Sequence, residues 1–517
     1  LSQFPFSSSD FLSDHLTNNV NVTIDPCDDF FLHVCSQSVN STVFPISKIS
    51  KFYEEIAEKF HNISNSPNLS IMNDILRLNS TTNDSKPSFN RSSFENLVRI
   101  RCKENDACYR EEFDYFSAFY INKTEKATDR LKYFKSKLNQ SNIDEILTVL
   151  IPMVESYYDS VNFSYPSWDD IYDRLFYGAL TNRLFVMEEL KENGIFERIV
   201  NIDDDLNQFK NLIINKFRKT PWLNEKDNLG LSFLSEFEDK MTDMIVYYDL
   251  DENDRDLKLL RIINSKFTQL YYKSKLRSTG NDILDIHLSL NLAFKESFGS
   301  SDAEEEMLVL RVEFQFAENA FYMQDLNRVA VLAPFLYPVL ADNSTLNKHY
   351  RLFFVIGHEI FHSVVLKDWA NKSNEFKNGM ECMNEHYNRT CEIFGKGSCN
   401  SGKQTFEEDG SDLEGFRITH EFLVQNYIEY ELKEVVFESD SLSVNREQAF
   451  FYLFGMSFCR TIKPLENHTD VHSPGQVRVN GVLSQTPAFS SAFSCNSGQK
   501  MYAHKDQMCS LFGPDSK

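Results

Sequence analysis

The chain has 517 residues and a formal charge of −23 at pH 7. That length exceeds one compact core and predicts at least two domains. The negative balance excludes nucleic acid as a partner, because phosphates would be repelled, and offers nothing to anionic lipid. Hydrophobic content is an ordinary 42%, but 45 Phe and 22 Tyr forecast aromatic-rich packing.

In chain order, residues 1–26 read as extended and polar, and Cys27 to Cys35 as a short helix whose first turn suits Asp28 and Asp29. Residues 47–60 have amphipathic helical spacing. Residues 61–93 are Ser/Asn-rich loop, with a short helix over 71–78. From 94 to about 290 the pattern is largely helical, with apolar residues three and four apart over 143–159, 169–194 and 254–276. Residues 306–316 alternate as strands do, and Asn319-Ala320-Phe321-Tyr322 follows as an exposed strand edge. Residues 416–431 and 444–458 are again helical, and the last fifty, with Pro474, Gly475, Gly481, Pro487 and Gly498, are loop-rich.

The strongest chemical signal is His358-Glu359-Ile360-Phe361-His362, entered from the apolar run 351–356. At a spacing of four, both imidazoles share one helix face and can grip a single Zn²⁺, with Glu359 beside them as a base toward water. A third ligand is needed that still leaves one position open. Downstream, Glu408 and Asp412 also stand four apart; one can ligate while the other accepts the outer N–H of a ligand histidine. Residue types alone make Asp470-Val471-His472 a surface turn, Asn319 a strand-end cap and Arg478 a surface cation or a salt-bridge partner.

Ten cysteines are compatible with five disulfides, and sequons recur at Asn21, Asn62, Asn68, Asn122, Asn162, Asn343, Asn371, Asn388 and Asn467. Together they predict an extracellular protein bearing N-linked glycans. Leu1-Ser2-Gln3-Phe4 is not a signal peptide, and no apolar stretch reaches transmembrane length; 329–341 comes nearest but is interrupted by Pro334 and Pro338. A mature secreted form and an excised ectodomain both fit.

Dispersed motifs give the chain a family likeness. They are Pro26-Cys27-Asp28-Asp29-Phe30-Phe31 with Cys35; Asn319-Ala320-Phe321-Tyr322 with Asn327 and Pro334; Gly357-His358-Glu359 with His362; and Glu408 with Asp412. Later come Asp470-Val471-His472-Ser473-Pro474, Arg478-Val479-Asn480-Gly481, Ala492-Phe493-Ser494-Cys495 and Cys509-Ser510-Leu511-Phe512. In these the chain resembles the neprilysin and endothelin-converting-enzyme family of zinc endopeptidases, over nearly its whole length and most densely after residue 306.

The resemblance implies a mainly α fold with a small β component: a thermolysin-like zinc peptidase catalytic domain plus a shortened helical capping domain. The expected parts are an N-terminal segment 1–50 packed on the catalytic domain, a helical cap over 51–300, and the catalytic domain at 301–517. It makes His358, His362 and Glu408 ligands of one Zn²⁺, Glu359 the general base, and Asp412 the partner of a ligand histidine. His472, held by Asp470, would stabilise the oxyanion. Asn319 and Ala320 would pair with the substrate backbone, Arg478 would donate to a substrate carbonyl, and Phe354 and Val355 would wall the pocket for the residue after the cut. Cysteine pairs Cys27–Cys495, Cys35–Cys459 and Cys382–Cys509 are implied, which leaves Cys102–Cys108 and Cys391–Cys399 as local pairs. A membrane anchor on the N-terminal side is usual in the family.

The chain departs from the family at identifiable places. Phe361 stands for the usual Thr, and Ser363-Val364-Val365 for Gly-Phe-Asp, so a carboxylate near the site is missing. The acidic motif reads Glu408-Asp409-Gly410-Ser411-Asp412 instead of Glu-Asn-x-x-Asp, and the final Trp is Phe512. The expected activity is hydrolysis of extracellular peptides on the amino side of hydrophobic residues. The alternatives are a catalytically impaired peptide-binding relative and a purely structural secreted glycoprotein.

Overall fold

The structure is a computed structural model. It describes residues 9–36, 71, 89–103, 105–117, 134–160, 202–226, 232–248, 255–297, 317, 319–332, 335–336, 346, 348–395, 399, 402–459 and 471–514. The helices expected over 47–60 and 169–194, all but Ile71 of the one over 71–78, the strands over 306–316 and Asp470 lie outside the described residues.

Two compact units divide the chain: Leu1–Glu54, Leu190–Asn253 and Phe314–Lys517 form the first, Glu55–Glu189 and Asp254–Glu313 the second. In the second, Arg91–Cys102, Asp106–Ser117, Ile143–Ser160, Arg255–Lys275 and Asp282–Ser297 are helices, as their apolar period requires. Phe94, Val98, Phe113, Ile146 and Leu150 close its core, and Cys102–Cys108 ties the turn between the first two helices.

The first unit takes residues 190–253 from the region read in sequence as one helical cap. The reason is strand pairing. Ile245–Tyr248 (β1), a β-branched and aromatic run too short to stand out among helices, pairs in parallel with Arg328–Val331 (β3). Ala320–Met323 (β2) pairs antiparallel on the other side of β3, giving the order β1-β3-β2. Asn327, at φ 52°, makes the β2–β3 turn, a left-handed position Asn tolerates. Among the described residues β2 lies at the edge of the sheet, where the sequence predicts an exposed strand.

Residues 1–26, expected to be extended, contain a helix at Ser9–Asn18. Tertiary contact selects it: Leu16 and His15 are buried, and the His15 ring meets the Val34 carbonyl at 3.1 Å. The next helix, Phe30–Cys35, is capped by Asp29 as expected, since the Asp29 carboxylate accepts from Leu32 N–H at 3.0 Å. The loop-rich C-terminus holds two short helices, Gly475–Leu483 and Pro487–Ala492; the prolines read as breakers instead start them, Pro474 at the N-cap and Pro487 in the first turn. Asn480 joins both ends of the chain. Its amide donates to Asp29 at 2.9 Å and its carbonyl accepts from Phe31 N–H at 3.0 Å.

Five disulfides take up all ten cysteines: Cys27–Cys495, Cys35–Cys459 and Cys382–Cys509, the pairs the family likeness implies, and Cys102–Cys108 and Cys391–Cys399, the two local pairs left over. Two of the sequence departures meet in one aromatic cluster. The Phe361 and Phe512 rings are 5.8 Å apart, with Phe217 touching both, so the added ring at 361 and the smaller ring at 512 share one packing site.

Candidate active site

A π-helical turn at Lys348–Leu352 runs into the helix Phe353–His362, which presents the HExxH face. The acidic motif lies within the long helix Gly402–Asn426. These two helices touch backbone to backbone. A Cβ added at Gly415 would stand 2.7 Å from the His358 amide nitrogen, so only glycine permits this approach. Gly415→Ala is therefore expected to push the helices apart, at a cost of about 1–3 kcal/mol, and to abolish metal uptake; thermal unfolding and metal analysis of the variant check this.

The close crossing brings three donors together. The Nε2 atoms of His358 and His362 are 2.9 Å apart, and Glu408 Oε2 lies 3.4 and 3.5 Å from them. Zinc bonds of about 2.0–2.1 Å at tetrahedral angles set neighbouring donors roughly 3.3–3.4 Å apart. The two edges to Glu408 fit that length, and the edge between the histidines, at 2.9 Å, is shorter and would open on binding. Glu408 Oε2 is also a buried oxygen with no well-aligned donor, although three imidazole nitrogens surround it, the third being His472 Nε2 at 3.1 Å. Among the described residues, His358, His362 and Glu408 are the one cluster able to hold a metal ion.

Behind the triangle, His358 Nδ1 sits 2.8 Å from Asp412 Oδ1. Asp412 is fully buried and takes a two-pronged ion pair from Arg478, Nε to Oδ2 at 2.5 Å and Nη2 to Oδ1 at 2.7 Å. Burial opposes its charge, but Arg478 and His358 outweigh burial and lower the carboxyl to about 2. Burial likewise disfavours a charged His358, and the Asp412 and Glu408 carboxylates override it, raising the imidazole to about 10. Glu408 itself is held well below the ordinary carboxylate range by the three histidines, against burial. A pocket that so favours a proton between carboxylates favours a divalent cation in its place.

Asp409 behaves oppositely. Burial pushes it up to about 8, so at neutral pH it is largely uncharged, accepting from Thr405 at 2.6 Å and from Ser473 at 3.0 Å. The second bond ties down the segment carrying His472. The expected partner of His472, Asp470, lies outside the described residues.

The cluster opens on a cleft of about 480 Å³. Its walls bring together Asn319, Ala320, Phe354, Val355, Glu359, His472 and Arg478 with the three donors, as the sequence likeness implies. The Asn319 carbonyl accepts from Leu332 N–H at 3.1 Å, which fixes the start of β2. Arg478 reaches the cleft, but its Nε and Nη2 are committed to Asp412, the salt-bridge reading of the sequence with a partner the sequence does not name. Arg351, Ser457 and Phe458 line the cleft too and were missed. Arg351 reads as part of the helix entry, and Phe458 is joined to the site only through space, with the Arg478 guanidinium 4.8 Å from its ring centre.

A helix-borne HExxH met by a glutamate from a second helix, beside a small sheet, defines a thermolysin-like zinc peptidase fold. Comparison with known proteins agrees. Residues 319–509 match the family model of Peptidase family M13. Neprilysin of Homo sapiens is 28% identical over 283 residues, 51% of this chain and 36% of that protein. Endothelin-converting enzyme 1 of Rattus norvegicus is 30% identical over 202 residues, 35% of this chain and 26% of that protein. A solved Haemonchus galactose-containing glycoprotein complex shares the fold at a TM-score of 0.55 with 16% identity, covering 97% of this chain and 99% of that one. Over residues 319–509 the chain is therefore similar to the neprilysin and endothelin-converting-enzyme family. Its matched region spans about a third of neprilysin's length.

Proposed function

We propose that this chain is a zinc-dependent endopeptidase that hydrolyses extracellular peptides on the amino side of hydrophobic residues. The observation that carries the reading is the convergence of His358, His362 and Glu408 in a cleft that also holds Glu359 and β2, an edge strand among the described residues. One zinc ion, when bound by that trio, supplies Lewis acidity toward a carbonyl oxygen and toward water.

The chain's own groups do the rest. Asn319 and Ala320 hold an extended peptide by strand addition to β2. Phe354, Val355 and Phe458 offer an apolar wall to the side chain after the cut. Glu359 accepts the proton of the attacking water and returns it to the leaving amine. His472, half exposed at the cleft, donates to the oxygen on which charge develops, and Arg478, already ionised and oriented by Asp412, donates to the adjoining carbonyl.

The same reading assigns the protein to the extracellular space, as a secreted form or the ectodomain of a membrane-anchored protein carrying N-linked glycans. Five disulfides support an oxidising compartment. Among the described residues no helix is long and apolar enough to cross a membrane. Asn371 and Asn388 are exposed sequon positions. The test is a quenched peptide with one internal hydrophobic residue. Cleavage before that residue, mapped by mass spectrometry and stopped by a zinc chelator, is the expected result; no cleavage by zinc-loaded protein would contradict it and favour a binding role.

A further inference from the structure

The two histidines of the cluster are held from behind by different chemistry. His358 Nδ1 faces a carboxylate, Asp412 Oδ1 at 2.8 Å, whereas His362 Nδ1 faces a hydroxyl, Ser411 Oγ at 3.3 Å. With a metal ion held between these Nε2 atoms and Glu408, their lone pairs are engaged, the ring protons stay on Nδ1, and Asp412 and Ser411 face them as acceptors. Adjacent positions on one helix thus serve histidines four apart on the other.

Ser411 has no other evident reason to be there. It is fully buried in the middle of a helix, where alanine has the higher propensity and an unbonded hydroxyl carries a desolvation cost. Past His362 the chain offers Val364 and Val365, both buried, and Val365 packs over Gly410. Among the described residues, the only carboxylate within ion-pair reach of His362 is Glu408, on the Nε2 side.

We infer that Ser411 is the positioning residue of His362, a neutral acceptor that orients the imidazole and leaves it a weaker donor than the carboxylate-backed His358. The inference rests on the zinc reading of the cluster. A partner of this kind typically changes metal affinity 10–100-fold. Being neutral, Ser411 belongs at the low end, about tenfold.

The test measures zinc affinity by chelator competition on the full chain, together with the visible spectrum of the cobalt-substituted protein and unfolding of the metal-free protein. Ser411→Ala should bind zinc about tenfold more weakly, with shifted cobalt bands and unchanged metal-free stability; Ser411→Thr, which keeps the hydroxyl, should restore affinity and spectrum. Deleting one oxygen from a helix interior leaves folding intact. Affinity within twofold of wild type for Ser411→Ala overturns the inference, as does a loss matched by lower metal-free stability with an unmoved cobalt spectrum. Wild-type protein that takes up no zinc fails earlier, and overturns the metal reading itself along with this one.

Discussion

Glu359→Gln should retain zinc and the fold yet lose peptide hydrolysis by roughly 10²–10⁴-fold, the usual worth of a positioned general base. Glu359 lies on the HExxH helix one residue from His358 and reaches the cleft, while the metal-holding trio excludes it. Glutamine keeps the shape and removes the proton acceptor, so kcat should fall with little change in KM. Activity within tenfold of wild type would assign the base to another residue.

The second large effect is expected at Asp412. Its carboxylate is fully buried and bridges His358 to Arg478, so Asp412→Ala leaves a largely buried guanidinium without its partner. Breaking such a pair from one side costs about 3–5 kcal/mol. The same change frees the outer nitrogen of His358, for a further 10–100-fold loss in metal affinity. The two losses are separable by unfolding the metal-free protein and by titrating zinc. The fold lowers the Asp412 carboxyl from 3.8 to about 2, so its contribution is complete above about pH 4 and fades as pH falls through 2. Unfolding followed from pH 5 downward should therefore show a smaller acid slope in the variant.

Local spacing made part of this site legible. Two histidines and then two carboxylates at intervals of four need only helical geometry to share a face, and both pairs lie in helices as the spacing predicts. The edge position that β2 holds among the described residues was likewise readable from Asn319 to Tyr322. Contacts made through space were not. Nothing in the order of residues joins β1 to β3, binds Arg478 to Asp412, or sets Ser411 behind His362. Gly415 has an ordinary place in the sequence and is demanding only because another helix backbone lies against it. The two C-terminal helices were hidden because proline reads as a breaker unless its place at a helix start is known. Three of the disulfides were implied through family likeness and the two local ones only by elimination, since connectivity has no local signature.

The most direct measurement is zinc stoichiometry by elemental analysis, after dialysis against zinc, for wild-type protein and for His358→Ala, His362→Ala and Glu408→Ala. The account predicts one ion per chain in the wild type and a near-complete loss in each variant. A wild-type chain without zinc, or a Glu408→Ala chain that keeps its full complement, would contradict it.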